Sequence, residues 1–218
     1  MEDRPTTPSP SIQLARFRTI AELVTARGLG PVTRHTACTA AALTLPESLF
    51  DLLRLGIGAY GLWPSRETLV STRAHSTLEL KPVLSWKTRV TQLKWVEAGE
   101  YVGYGLSHRC GHRTRLGVLP IGYADGYDRG LSAVAHVLVR KRRAPVIGRI
   151  CMNITLIDLT DVADAAIEDE VILIGRSANE ALGAERLAGW AQTIPYEIVA
   201  RLTPSLPRLG VDPEGSPA

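Results

Sequence analysis

The 218-residue sequence has no uninterrupted apolar stretch near the roughly 20 residues that a membrane span needs. No apolar core follows Met1-Glu2-Asp3-Arg4-Pro5, so the start does not read as a signal peptide. Cysteine is scarce. Cys38, Cys110 and Cys151 are odd in number and lack metal-ligand spacing, which argues against a disulfide scaffold and for a reducing, cytoplasmic location. Charge of one sign is also lacking: the formal net charge is +3 and the basic residues are scattered, so neither nucleic acid nor a membrane is an expected partner. The densest basic run, Arg140-Lys141-Arg142-Arg143, sits between two apolar stretches and reads as a solvated hairpin turn before a nucleic-acid patch. Lysine occurs only at Lys81, Lys87, Lys94 and Lys141, and the sequence has no internal repeat or low-complexity tract.

What remains is an ordinary globular composition, 45% hydrophobic and 22% charged. Residues 1–10 are polar, contain three prolines and read as a connector. From Ser11 to Arg27 the residues Leu14, Phe17, Ile20, Ala21 and Val24 fall at helical spacing, with Gly28 placed to end the helix. Val32–Ala37 reads as a strand, Ala40–Leu43 as a small-residue stretch, and Leu49–Leu55 as a helix running into Gly56-Ile57-Gly58-Ala59-Tyr60-Gly61, whose first residues read as a second strand. Alternating helix and strand suggests the end of a parallel α/β unit. A complete barrel takes about 250 residues, and too little chain precedes Pro64 to build one.

After Ser65 the texture changes. Residues 66–78 are polar and read as a loop. Val83–Val96, Arg115–Ile121, His136–Val139, Pro145–Ile157 and Glu170–Ile174 carry β-branched or aromatic residues between turn signals, and Glu180–Ala191 reads as one helix. The expected fold class is therefore an α/β fragment plus a mostly β part. The last βα units of an incomplete TIM-type barrel occupy residues 1–65, and a β domain occupies 66–218.

Four places can carry chemistry. Arg54 stands two residues before the first of the paired glycines Gly56 and Gly58, and glycines let backbone N–H groups approach an anion. A tight turn with a surface arginine explains the same residues. Thr39 offers a hydroxyl to a phosphate or a cap to a helix. Tyr104, between Gly103 and Gly105, is either a reacting phenol or a packed hairpin tyrosine. Cys151 and Met152 fall in a β run, where neighbours point to opposite faces.

In order, these segments resemble the alanine racemase family. His35-x-Ala37-Cys38-Thr39-Ala40-Ala41 is followed by Arg54-x-Gly56-Ile57-x-x-Tyr60-Gly61, then by Glu97–Gly105, Ile121-Gly122-Tyr123-Ala124-Asp125-Gly126-Tyr127, Gly148-Arg149-Ile150-Cys151-Met152-Asn153 and Thr193-Ile194-Pro195-Tyr196-Glu197. The resemblance runs from about Leu14 to Arg208. It implies a pyridoxal phosphate enzyme that interconverts L- and D-alanine for cell-wall precursors, acting as a homodimer with active sites at the interface. It also implies an alanine racemase-like C-terminal β domain after the barrel remnant. Thr39, Gly56, Ile57 and Tyr196 would hold the phosphate, and Arg54 would face the pyridine nitrogen. Tyr104 would be a catalytic base serving the partner's cofactor, and Met152 would help to place the substrate carboxylate. Phenols titrate near pH 10, so such a base needs positive charge nearby. Tyr123, Arg129, Arg149 and Arg208 resemble residues near the entrance.

The sequence departs from the family pattern in three ways. Cys38-Thr39 replaces Asn-Ser, which keeps the hydroxyl, and Asn153 stands where aspartate is common. No lysine has the context of the family's Schiff-base lysine, so the chain reads as a C-terminal fragment, inactive unless a separate N-terminal chain supplies that residue. The alternatives are a non-catalytic dimerising module and a racemase of another small amino acid such as serine.

Overall fold

The computed structural model describes residues 9–178 and 180–212, so the connector expected at the start lies largely outside the described residues. The chain divides into two compact units between Val83 and Leu84. No helix among the described residues is long and apolar enough to cross a membrane.

In the first unit, helix α1 (Pro10–Ala26) forms where the apolar spacing predicts. Proline opens it, where its missing N–H costs no hydrogen bond. Gly28 ends it at φ +69, and Leu29 N–H reaches back to the Val24 carbonyl at 3.1 Å. Leu14 is buried, and Phe17 packs on Phe50 with ring centroids 5.1 Å apart. Helix α2 (Thr39–Thr44) takes up the small-residue stretch.

The expected strands of this unit are corrected. Residues 32–37 have no ladder, Leu49–Leu55 is not a helix, and Ile57–Tyr60 is a 3-10 turn. What joins the two segments is one parallel bridge, Cys38 to Arg54, flanked by Arg54 N–H to Ala37 O (3.1 Å) and Asp51 N–H to Arg34 O (3.0 Å). The backbone is aligned as in a parallel sheet, but a single bridge is too short to count as strands.

The loop expected at 66–78 is also corrected: it contains helix α3 (Arg66–Arg73). Ser65 caps it by accepting the Thr68 N–H at 3.1 Å, and Glu67 lies in its first turn, where a negative charge suits the helix dipole. Its buried face is made by Thr68 and Thr72, which a count of apolar residues misses.

The second unit is built on antiparallel strands: β1 (Trp86–Arg89), β2 (Gln92–Val96), β3 (Tyr101–Val102), β4 (His108–Arg109), β5 (Thr114–Leu119), β6 (His136–Val139), β7 (Arg142–Ile147), β8 (Thr155–Asp158), β9 (Glu170–Ser177) and β10 (Glu180–Leu182). The main sheet runs β1-β9-β6-β7-β8-β5-β2, with β10 also on β9, while β3 and β4 form a hairpin of their own. Val137, Val139, Ile157 and Val171 are fully buried on the central strands. Helices α4 (Ala184–Ala191) and α5 (Pro195–Ala200) follow. The helix expected over Glu180–Ala191 thus starts only after Gly183, because Glu180–Leu182 pairs with Gly175–Ser177 first.

The basic run is the expected hairpin turn. Val139 pairs with Arg142, and Arg140 and Lys141 between them adopt φ +47 and +66, the geometry of a two-residue turn. Arg140 forks onto Asp169 (2.6 and 2.8 Å) and also reaches Asp164 (3.1 Å). These bonds hold both carboxyls below the usual carboxylate range.

Candidate functional site

The first unit gathers Arg54, Thr39, Gly56 and Ile57. Thr39 begins α2 and is buried, and its hydroxyl oxygen accepts the N–H groups of Gly56 (3.1 Å) and Gly58 (3.3 Å). It caps no helix end by its side chain; it bridges to the glycine turn instead. A hydroxyl that accepts two bonds still has one proton to donate. The turn is tight: a Cβ on Gly58 would lie 2.7 Å from the Thr39 methyl and 3.0 Å from Leu55 Cδ1. Ile57 is buried, which fixes the middle of the turn. Gly58 was not among the residues singled out for the site, although it stands in the same paired-glycine motif.

Arg54 is held from the neighbouring segment. Its Nη2 donates to the Thr36 carbonyl (3.1 Å), and its Nη1 meets the His35 carbonyl (3.3 Å) and the His35 ring nitrogen Nδ1. Three residues before it, Asp51 forks onto the Arg34 guanidinium (2.9 and 3.0 Å) and accepts the Arg34 N–H (2.8 Å). Those bonds, the Arg34 side chain first, pull the Asp51 carboxyl down to about 2. They clamp residues 34–38 to residues 51–56, which sets where Arg54 and Thr39 stand. An open cavity of about 750 Å³ beneath α1, lined by Ala21, Thr25, Phe50 and Asp51, contains none of the four.

Tyr104, Met152 and Tyr196 belong to the second unit. Tyr104 is at the tip of the β3–β4 hairpin and is 74% exposed. Met152 is exposed, and the expected strand around it is corrected: Met152 and Asn153 form a bend before β8, closed by Cys151 N–H to the Ile154 carbonyl (2.9 Å). Against this bend lies the Gly122–Asp125 turn, with Tyr123 N–H on Cys151 O and Ala124 N–H on Met152 O, both 3.0 Å. A Cβ on Gly122 would stand 2.1 Å from the Cys151 carbonyl, so only glycine fits there. Tyr196 is in the first turn of α5, half-exposed, beside Glu197, whose carboxylate takes the Thr193 hydroxyl and Arg201. The geometry can therefore offer an anion cradle with an adjacent guanidinium in one unit and an exposed phenol beside a fixed bend in the other.

Known proteins carry the same segments. Residues 1–64 match the family profile described as alanine racemase, N-terminal domain, and residues 83–210 match the one described as alanine racemase, C-terminal domain. The alanine racemase of Leptospira interrogans is 36% identical over 92% of this chain and 52% of its own. That of Syntrophobacter fumaroxidans is 43% identical over 87% of this chain and 49% of its own. Among solved structures, the alanine racemase from Bacillus anthracis with bound L-Ala-P superposes with a TM-score of 0.83 at 32% identity, covering 92% of this chain and 50% of that one. The enzyme from Streptomyces lavendulae gives a TM-score of 0.81 at 37% identity, with 94% and 53% covered. The chain spans about half the length of the curated relatives it matches.

Proposed function

The chain belongs to the alanine racemase family, and from that membership we propose that it is the C-terminal part of a pyridoxal phosphate enzyme interconverting L- and D-alanine. The observation that carries the cofactor assignment is the cradle in which the buried Thr39 hydroxyl meets the Gly56 and Gly58 N–H groups. The two glycine N–H groups hold the Thr39 oxygen, which leaves the hydroxyl proton to donate to a phosphate that the glycine turn lets come close. Thr39, Gly56 and Ile57 would hold that phosphate together with Tyr196, and Arg54 would face the pyridine nitrogen. Arginine keeps its charge at any working pH and can only donate, so it leaves that nitrogen unprotonated.

When bound, pyridoxal phosphate delocalises negative charge from the α-carbon and so makes its hydrogen removable. Tyr104 would exchange a proton on one face of that carbon, and a lysine outside the four of this sequence would serve the other. The backbone at Met152 would place the substrate carboxylate. Tyr104 and Met152 of one protomer would serve the cofactor held by its partner, so the working unit is a homodimer, in the cytoplasm, making D-alanine for cell-wall assembly. The 218-residue polypeptide by itself would turn over no alanine, because none of Lys81, Lys87, Lys94 and Lys141 has the family's lysine context.

The test joins this chain to a lysine-bearing barrel half from a relative and follows α-hydrogen exchange from L- and D-alanine in deuterated solvent. Exchange from both enantiomers is expected. A complex that binds pyridoxal phosphate yet exchanges neither would sink the reading, and faster exchange from serine would change the substrate.

A further inference from the structure

The tip that carries Tyr104 has little to hold it. The β3–β4 hairpin pairs Tyr101 with Arg109 and Val102 with His108, is closed at its base by Cys110 N–H to Glu100 O (2.9 Å), and belongs to no larger sheet. Within its own chain the Tyr104 ring is mostly exposed, so that chain's packing does not fix it. Its neighbours Gly103, Gly105 and Leu106 all have left-handed backbones, at φ +83, +69 and +52. The one bond across the tip runs from Leu106 N–H to Gly103 O, at 3.1 Å. A phenol so placed goes where the backbone of the tip goes.

Ser107, the next residue, reaches out of the hairpin. Its hydroxyl oxygen accepts the Arg149 N–H at 3.1 Å. Around that bond two glycines pass each other closely: a Cβ on Gly103 would lie 3.0 Å from the Ser107 oxygen and 3.4 Å from Gly148 Cα. A Cβ on Gly148, itself at φ +66, would lie 3.3 Å from the same oxygen. The hydroxyl therefore sits where two backbones meet, and the segment after β7 that it holds continues into the bend at Met152. That segment is also held by Ile150 N–H donating to the Ser132 hydroxyl at 3.0 Å.

We propose that Ser107 is a positioning residue for Tyr104: through Arg149 its hydroxyl locks the tip that carries the phenol to the bend that carries Met152. The inference rests on the proposed role of Tyr104 as a proton carrier. Ser107 touches no substrate; it sets the distance between two groups that do. Proton transfer is sensitive to sub-ångström placement, so a loosened tip slows the step without removing the base.

Two measurements test this. In the 218-residue chain, amide hydrogen exchange of Arg149 is expected to accelerate about fivefold or more in Ser107→Ala, the worth of one hydrogen bond, and to stay near the parent rate in Ser107→Thr. In the enzyme completed with its lysine-bearing half, Ser107→Ala is expected to lower kcat about tenfold for the enantiomer that Tyr104→Phe slows most, with KM within twofold, and Ser107→Thr to restore it. An unchanged Arg149 amide in Ser107→Ala overturns the proposal. So does a faster amide with unchanged kcat, where Tyr104→Phe alone is slow. If Tyr104→Phe costs nothing, the catalytic reading of Tyr104 has failed, a result reached without any Ser107 variant, and the positioning role falls with it.

Discussion

His136 Nε2 stands 3.8 Å from Glu180 Oε1, too far for a hydrogen bond, and this buried atom has no other partner among the described residues. The ring, on β6, is covered by Trp190 of α4, with centroids 4.9 Å apart in an edge-on contact. Arg143 of β7 and Arg186 of α4 also face it, and Arg143 already holds Glu180 at 2.5 Å. Burial, then the two arginines, outweigh Glu180 and hold the imidazole below its usual value. A lowered histidine favours the neutral form in the folded state, so its contribution is complete above about pH 6.5 and is lost as pH falls through the folded value. The urea midpoint of the chain is expected to fall between pH 7 and 5, and His136→Phe, which keeps a ring against Trp190, to flatten that fall. Parallel curves for parent and variant would rule out this origin.

Arg115 makes a different bet. Its guanidinium, on β5, donates to the carbonyls of Val162 (3.2 Å), Ala163 (2.5 Å) and Ala165 (2.6 Å), closing a turn whose Val162 and Ala165 are buried. Replacing Arg115 by Met keeps the aliphatic stem but removes the donors: Val162 O keeps the Ala165 N–H at 3.0 Å and Ala163 is exposed to water, so the loss falls mainly on Ala165 O and is expected to be roughly 1–3 kcal/mol. Arg115→Lys should recover less than half, because an ammonium cannot reproduce the planar fork. Urea denaturation with an unchanged slope checks both, and a Met variant within about 0.5 kcal/mol of the parent contradicts the clamp.

Thr39→Val removes an oxygen and keeps the shape. The Gly56 and Gly58 N–H groups lose their common acceptor, and their amide exchange is expected to speed up together. In the completed enzyme, pyridoxal phosphate should bind roughly 10–100-fold more weakly, as expected when a hydrogen bond to a charged group is lost. Thr39→Ser should bind within about threefold of the parent, since a single methyl is all that changes. Equal affinity in Thr39→Val would leave the cradle without a role in holding phosphate.

How far these elements could be read from sequence differs between the two units for a physical reason. His136–Val139 forms a strand over the residues predicted, because a run of Val and Leu ending in two turn residues needs only its hairpin neighbour to be recognised. Residues 32–37 have the composition of a strand, but a strand is defined by its partner, and among the described residues of this unit one bridge at Cys38 is all there is. Helix α3 was hidden because Thr68 and Thr72, four apart, bury a face with hydroxyl residues that look like a loop. The bend at Met152 depends on Gly148 at φ +66 and on Gly122 tucked against Cys151, contacts distant in sequence. The site motifs were legible through their order along the chain. Their contacts were not: nothing local says that Thr39 meets Gly58 or that Ser107 meets Arg149.

Tyr104→Phe gives the sharpest test of the proposed chemistry. The ring is 74% exposed, so deleting its hydroxyl disturbs no buried partner, and the urea midpoint of the chain should not move. What disappears is the proton-carrying group. In the completed enzyme the rate of α-hydrogen exchange is expected to fall roughly 10²–10⁴-fold, the usual worth of a general base. The loss should be unequal. In the proposed chemistry one enantiomer would present its α-hydrogen to Tyr104 and the other to a lysine outside this sequence, so abstraction from the first should suffer most, while the second would still lose its hydrogen and fail only to be reprotonated on the opposite face. Exchange without inversion should therefore persist for one enantiomer and vanish for the other. If both enantiomers in the variant stayed within about twofold of the parent rate, Tyr104 would be a hairpin-tip tyrosine and no base, because a group that carries the proton cannot be removed at so small a cost.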